Sequence, residues 1–274
     1  MIVRLGAVGY LNARPLVYRL DRSPNFSLRF DIPARCADLL HAGDIDVGLI
    51  PSIEYLRGGA LAIVPGLAIA SRGPVTSVML YTTRPVEDVR SIAMDTSSRT
   101  SVALVRVLCA KLFKIAPKLE PLGPDLDTML GRCDAALIIG DNALFQSPVT
   151  GHQSPVTGHR SPVTVIDLGQ AWKGMTGLPF VYAFWAGRPD ALEAGDVEAL
   201  QHARDAGVAA SGEVAREYLR DSPALQMVGM RYLRDNIKYR LGDEERAGLE
   251  LFYRYASEID VAPASEGLRF YGQA

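Results

Sequence analysis

Residues 33–55 read PARCADLLHAGDIDVGLIPSIEY, and their pattern decides the fold class. Over 34–43, Ala34, Ala37, Leu39 and Leu40 fall on one helical face, and Gly43 follows them as a C-terminal cap. Asp46–Ile50 then forms a buried strand, and Pro51 opens a new helical turn, where its missing N–H removes no hydrogen bond. Upstream, the β-rich run 2–9 (IVRLGAVG) passes directly into polar YLNARPL (10–16), read as strand, loop and helix. The unit is β-α-β-α, the alternation of an α/β protein.

The alternation recurs downstream. Residues 75–83 (VTSVMLYTT) are β-branched and long enough to run between two lobes. Ser91–Met94 is a strand, DTSSRTS (95–101) a turn, 102–113 a helix, and Ala135–Ile139 a strand that ends in GDNALF. After VTVIDL, Phe180–Trp185 reads as a strand that recrosses the boundary. Two crossings imply two lobes joined by paired hinge strands, with 1–83 and 178–274 in the first lobe and 84–177 in the second. The C-terminal third is expected to be helical over 196–219, 231–241 and 243–260, with Leu251, Phe252, Tyr255 and Ile259 as the apolar stripe of the last helix. Ligands are then expected in a cleft where strand carboxyl ends of both lobes meet.

The 274 residues are 48% apolar and 22% charged with a net charge of −2, which gives a sizeable core and no disorder. The basic residues are scattered, so nucleic acid is excluded as a partner. The first residues lack the basic, apolar and small-residue regions of a secretory signal, and a cytoplasmic location is expected. GALAIVPGLAIA (59–70) is about half the ~20 residues of a membrane helix and contains Pro65, so no membrane association is expected. Cys36, Cys109 and Cys133 are odd in number and widely spaced, as buried thiols in a reducing compartment would be. No residue pattern fixes an oligomeric state.

Polar groups gather at four strand ends: YLNARPL, Pro51–Glu54, the TSSRTS run and Gly140–Asp141. DTSSRTS holds five hydroxyl-bearing residues at a helix start, where backbone N–H groups and the helix dipole favour an anion such as a carboxylate. Helix capping alone would need one of them. Asn12 offers both a donor and an acceptor, or it is a turn former. Glu54 is an acid/base candidate or a carboxylate answering a helix dipole, and Asp141 presents a similar choice between function and capping. Ser77 has no histidine close in sequence, so ligand hydrogen bonding suits it better than nucleophilic attack. Trp172 and Trp185, either side of TGLPF, are core residues or cleft walls. P-loop, HExxH and GxGxxG patterns are missing.

The stretch 146–164, QSPVTGHQSPVTGHRSPVT, repeats a heptad and carries His152 and His159, two of the four histidines. Proline and glycine oppose a helix there, and the two imidazoles lack the i, i+4 spacing of a helical metal pair. A loop insertion is expected, with no metal site.

Together, VGYLNARPL (8–16), 33–55, SRGPVTSVMLYTTRP (71–85), SIAMDTSSRTSVALVRVL (91–108), ALIIGD (136–141) and TGLPFVYAFW (176–185) resemble the chorismate dehydratases of the futalosine route to menaquinone. The resemblance spans nearly the whole chain except 146–164. The sister enzymes that make 1,4-dihydroxy-6-naphthoate share the fold but carry an SPCPND-like first strand where this chain has GYLNARP. They stand as one alternative, and a non-catalytic small-anion-binding protein as another. The resemblance implies a two-lobed type II periplasmic-binding-protein-like fold, with the ligand in a cleft between lobes joined by two hinge strands. It also implies a hydro-lyase acting on chorismate, with no metal or organic cofactor. Asn12 and Ser77 are then expected against the reacting ring. Tyr10, Ser52, Glu54, Ser97, Ser98, Thr100, Ser101, Asp141 and Thr176 are expected around the substrate. The proton acceptor stays open among Glu54, Asp141 and the enolpyruvyl carboxylate of the substrate itself.

Overall fold

The computed structural model describes residues 2–146, 152–153 and 160–273. Strand β1 (Val3–Val8) lies parallel to β2 (Phe26–Asp31) and β3 (Val47–Pro51), and helix α1 (Pro33–His41) crosses between the last two. Gly43, at φ +76°, turns the chain out of α1. Between β1 and β2 the segment Leu11–Val17 is a 3₁₀ helix containing Pro15, whose ring obstructs regular α-helix. A second 3₁₀ turn, Ser52–Leu56, follows β3. Strands β4 (Ala62–Ile63) and β5 (Ile69–Ser71) complete this first pass, and Pro65 and Gly66 turn the chain between them.

The chain then enters a second sheet. It comprises β6 (Val78–Thr82), β7 (Ser91–Asp95), β8 (Lys118–Leu122), β9 (Ala135–Ile139) and β12 (Thr164–Asp167), in the order β12-β6-β9-β7-β8. Helices α2 (Arg99–Leu108), α3 (Leu126–Arg132) and the short α4 (Asp141–Leu144) connect these strands. The backbone of β10 (His152–Gln153) pairs antiparallel with β11 (Arg160–Ser161). The rest of the expected loop insertion at 146–164 falls largely outside the described residues. Helix α5 (Leu168–Thr176) returns the chain to β13 (Phe180–Gly187), which enters the first sheet antiparallel to both β3 and β5.

The C-terminal third adds α6 (Ala194–Ala209), α7 (Ser211–Tyr218), α8 (Gln226–Arg231), β14 (Ile237–Lys238) and α9 (Asp243–Glu258). The first sheet has the order β14-β5-β13-β3-β1-β2, with β4 on β13.

Several sequence expectations are corrected. The crossings run through 72–77 and through α5 with 177–179, just ahead of β6 and β13; β6 pairs in the second sheet and β13 in the first. The helix expected over 196–219 breaks at Ala210, where the Ser211 hydroxyl donates to Val208 O at 2.6 Å. The helix expected over 231–241 ends as a π turn at Tyr232–Asn236, because Ile237 is drawn into pairing with Ser71. In α9 the buried face is Leu249, Phe252, Tyr253 and Ala256, one position off the expected stripe, with Leu251, Tyr255 and Ile259 only partly buried.

One core joins both sheets through α2, and a smaller one lies under α3 on the far face of the second sheet. Trp172 and Trp185 are fully buried in the larger core. Trp172 packs edge-on against Phe180 with centroids 5.2 Å apart, and its indole N–H donates to Pro179 O at 3.0 Å. The three cysteines are free and buried, and burial pushes the Cys36 and Cys109 thiols up to about 12.

Candidate active site

A cavity lies where carboxyl ends of strands from both sheets meet. Val8 and Tyr10 follow β1, Pro51 ends β3, Ile139 and Gly140 end β9, and Val75, Ser77 and Val78 come from the first crossing. Asn12, Ser98, Ser101 and Tyr182 complete its polar lining. Among the described residues that line it, none carries a charge. It encloses about 40 Å³, close to one water's share of liquid volume (~30 Å³), whereas small-molecule sites run to ~300 Å³ and more. In this form it is too small for a six-membered ring.

Gly140 sits at φ +63°, and a Cβ there would meet the Tyr10 ring at 2.8 Å, so glycine lets the second sheet's edge close onto Tyr10. The Tyr10 hydroxyl donates to Ser97 Oγ at 3.3 Å, and Ser97 in turn donates to Asp95 Oδ1 at 2.6 Å. Burial raises the Tyr10 pKa, so the phenol remains a neutral donor. At the start of α2, Ser98 Oγ accepts from the Ser101 N–H at 3.4 Å and from the Ser101 hydroxyl at 3.0 Å. Ser98 is thus the N-cap and a cavity wall at once. The first turn of α2 brings its backbone N–H groups and the positive end of its dipole to this wall, a setting for a carboxylate.

Five of the residues expected from sequence meet at the cavity: Tyr10, Asn12, Ser77, Ser98 and Ser101. Ser97 stands behind Tyr10. The others are engaged elsewhere. Thr100 Oγ1 accepts from the Ile53 N–H at 3.1 Å and lies 3.4 Å from Ser52 Oγ, which donates to Val181 O at 2.8 Å. Glu54, 2% exposed, is held between Arg57 at 2.7 Å and Arg99 at 2.8 Å, and Arg99 also reaches Asp38 at 2.7 Å. This ion cluster fastens the start of α2 to α1 and the 52–56 turn. Thr176 finishes α5, where its hydroxyl donates to Trp172 O at 2.9 Å, away from the cavity.

Asp141 lies one layer behind the lining. It accepts from the Leu11 N–H at 3.1 Å and from the Tyr218 hydroxyl, and burial raises its pKa. Asp141→Ala should therefore cost stability, about 1–3 kcal/mol for the stranded Leu11 N–H, as read by chemical denaturation. A stability change below ~0.5 kcal/mol would contradict that structural role.

Three tyrosines of the C-terminal third were not anticipated. Tyr218 donates to Asp141 and lies 3.1 Å from Gly9 O, Tyr239 donates to Asn12 O (3.0 Å), and Tyr232 donates to Ser77 Oγ (2.7 Å). Their partners are 77–227 residues away in sequence, so no local pattern marks them. Asp95 was also missed: it is 2% exposed and its Oδ2 has no partner. Its place at the end of β7, opening DTSSRTS, was the available signal.

This arrangement, two sheets with a polar cavity between their strand ends, defines the chain as a member of the periplasmic-binding-protein-like α/β class. Solved structures agree at the level of fold. A protein of Archaeoglobus fulgidus superposes with a TM-score of 0.70 at 16% identity, covering 94% of this chain and 98% of that one. The periplasmic aliphatic sulphonate-binding protein of Escherichia coli gives 0.65 at 18%, covering 96% and 94%. Within that class the chain belongs to the menaquinone-biosynthesis family, whose model matches residues 3–258. It is 33% identical over 261 residues to the chorismate dehydratase of Thermus thermophilus, a match covering 90% of this chain and 93% of that protein. No helix among the described residues is long and apolar enough to cross a membrane.

Proposed function

We propose that the protein is a cytoplasmic hydro-lyase that converts chorismate to 3-(1-carboxyvinyloxy)benzoate and water, a step of the futalosine route to menaquinone. The observation that carries this reading is the 33% identity over 90% of the chain to the Thermus thermophilus enzyme. The cavity supports it. The reaction removes the proton from the ring carbon bearing the enolpyruvyl ether, spreads the charge onto the ring carboxylate, and expels the neighbouring hydroxyl as water. Aromatisation drives the reaction forward, so the protein's task is to orient the ring and stabilise charge that develops on oxygen. Neutral donors suffice for that.

Asn12 and Ser77 lie against the ring, while the start of α2, with Ser98 and Ser101, holds one carboxylate. Neither Glu54 nor Asp141 lines the cavity, and a carboxylate beside a dianionic substrate adds repulsion. The enolpyruvyl carboxylate of the substrate is therefore assigned as the proton acceptor, and it returns the proton to the departing hydroxyl.

Incubating the purified protein with chorismate and following the ring-diene absorbance tests this directly. Loss of the diene with appearance of an aromatic product is the expected result. Tight binding without turnover would instead place the chain among non-catalytic anion-binding proteins.

A further inference from the structure

Tyr232 is 2% exposed and belongs to the π turn at the end of α8. Its hydroxyl donates to Ser77 Oγ at 2.7 Å, and Ser77 and Asn12 line the same cavity. Burial holds its pKa above the ordinary tyrosine value, so it keeps its proton and donates in one direction only. Its two cavity neighbours are left with complementary free groups. Ser77, already accepting from Tyr232, has its own hydrogen left to offer into the cavity that it lines. Asn12 has Oδ1 buried and without a partner. A buried acceptor with no donor is costly unless a bound molecule supplies one.

We infer that Tyr232 is a positioning residue that fixes the hydrogen-bond direction of Ser77, so that Ser77 presents a donor to the bound molecule beside the free acceptor of Asn12. The inference rests on the chorismate reading for its substrate. It adds a specificity rule: the site takes a ring whose hydroxyl can donate to Asn12 Oδ1 while an acceptor on the same molecule meets Ser77. Chorismate offers that pair, its ring hydroxyl as donor and its ether and carboxylate oxygens as acceptors. Tyr239, donating to Asn12 O, holds the backbone of that residue and leaves its side-chain oxygen to the bound molecule.

The test is a double-mutant cycle on chorismate turnover, with Tyr232→Phe, Ser77→Ala and the pair. Tyr232→Phe keeps the ring and its packing. It should lower kcat by about 10–100-fold with KM changed less than threefold, as loss of an aligned donor does. In the Ser77→Ala background the same change should lower kcat by less than threefold. Independent, multiplying losses would overturn the inference, as would wild-type kcat in Tyr232→Phe.

A second measurement uses the unaltered protein. A chorismate analogue with fluorine in place of the ring hydroxyl accepts but cannot donate, and it should bind at least tenfold more weakly than chorismate. Equal binding overturns the inference. Should chorismate not be turned over at all, the functional reading fails by itself. A crystal structure of Tyr232→Phe then decides: Ser77 Oγ keeping its orientation overturns the positioning role, and a rotated Ser77 supports it.

Discussion

Ser77→Ala should leave a folded protein whose kcat for chorismate is lower by about 10²–10³, the usual loss when one aligned donor to a developing oxyanion is removed. Ser77 is 2% exposed and sits at the entry to β6, so truncation leaves the backbone in place. It does strand the Tyr232 hydroxyl, and the unfolding free energy should fall by about 1–2 kcal/mol for that lost acceptor. A stability loss of that size cannot depopulate a domain held by the usual 5–15 kcal/mol. Steady-state kinetics beside a denaturation curve separates the two effects. Retention of more than a tenth of wild-type kcat would remove Ser77 from the reacting ring.

Glu54→Gln should show the opposite pattern. The carboxylate is 2% exposed and is the shared partner of Arg57 and Arg99, so neutralising it leaves two guanidinium groups facing an amide in a poorly solvated place. Removing one partner of a buried pair costs about 3–5 kcal/mol, and the partial exposure of both arginines brings the expectation to the lower end. For a chain of this size that corresponds to a drop in Tm of roughly 6–12 °C. Turnover per folded molecule, measured well below the new Tm, should remain within a few-fold of wild type. A thousandfold loss of turnover with an unchanged Tm would make Glu54 the base after all.

These two residues show what the sequence could and could not convey. The β-α-β order around 33–55 was legible because it is written in local periods, and DTSSRTS was legible because a helix start has a chemical signature. The four strand-end segments also converged as expected, because parallel strands deliver their carboxyl ends to one side. The division of labour within each segment was hidden. Ser98 and Ser101 face the cavity while Thr100, between them, turns to Ile53 and Ser52, and that choice is made by the other sheet. Glu54 read equally well as an acid or a helix-end carboxylate until Arg99 was placed beside it, 45 residues on. The helix expected over 231–241 failed for a similar reason: pairing with Ser71 outweighs the local preference of Ile237, and the π turn that results is what aims Tyr232 at Ser77.

The narrowness of the cavity has a kinetic corollary. About 40 Å³ is too small for a molecule with a six-membered ring, and a separation of the sheets wide enough to admit one would undo the contacts of Arg99 with Glu54 and Asp38. Those ion pairs then act as a timer. At low substrate the encounter rate rises with concentration, and at high substrate it levels off at the frequency with which the cluster lets go. Strengthening the cluster would make the protein more durable and slower to load, so its stability and its rate of substrate capture would be tuned by the same three side chains, in opposite directions, while a turnover limited by chemistry stays unchanged.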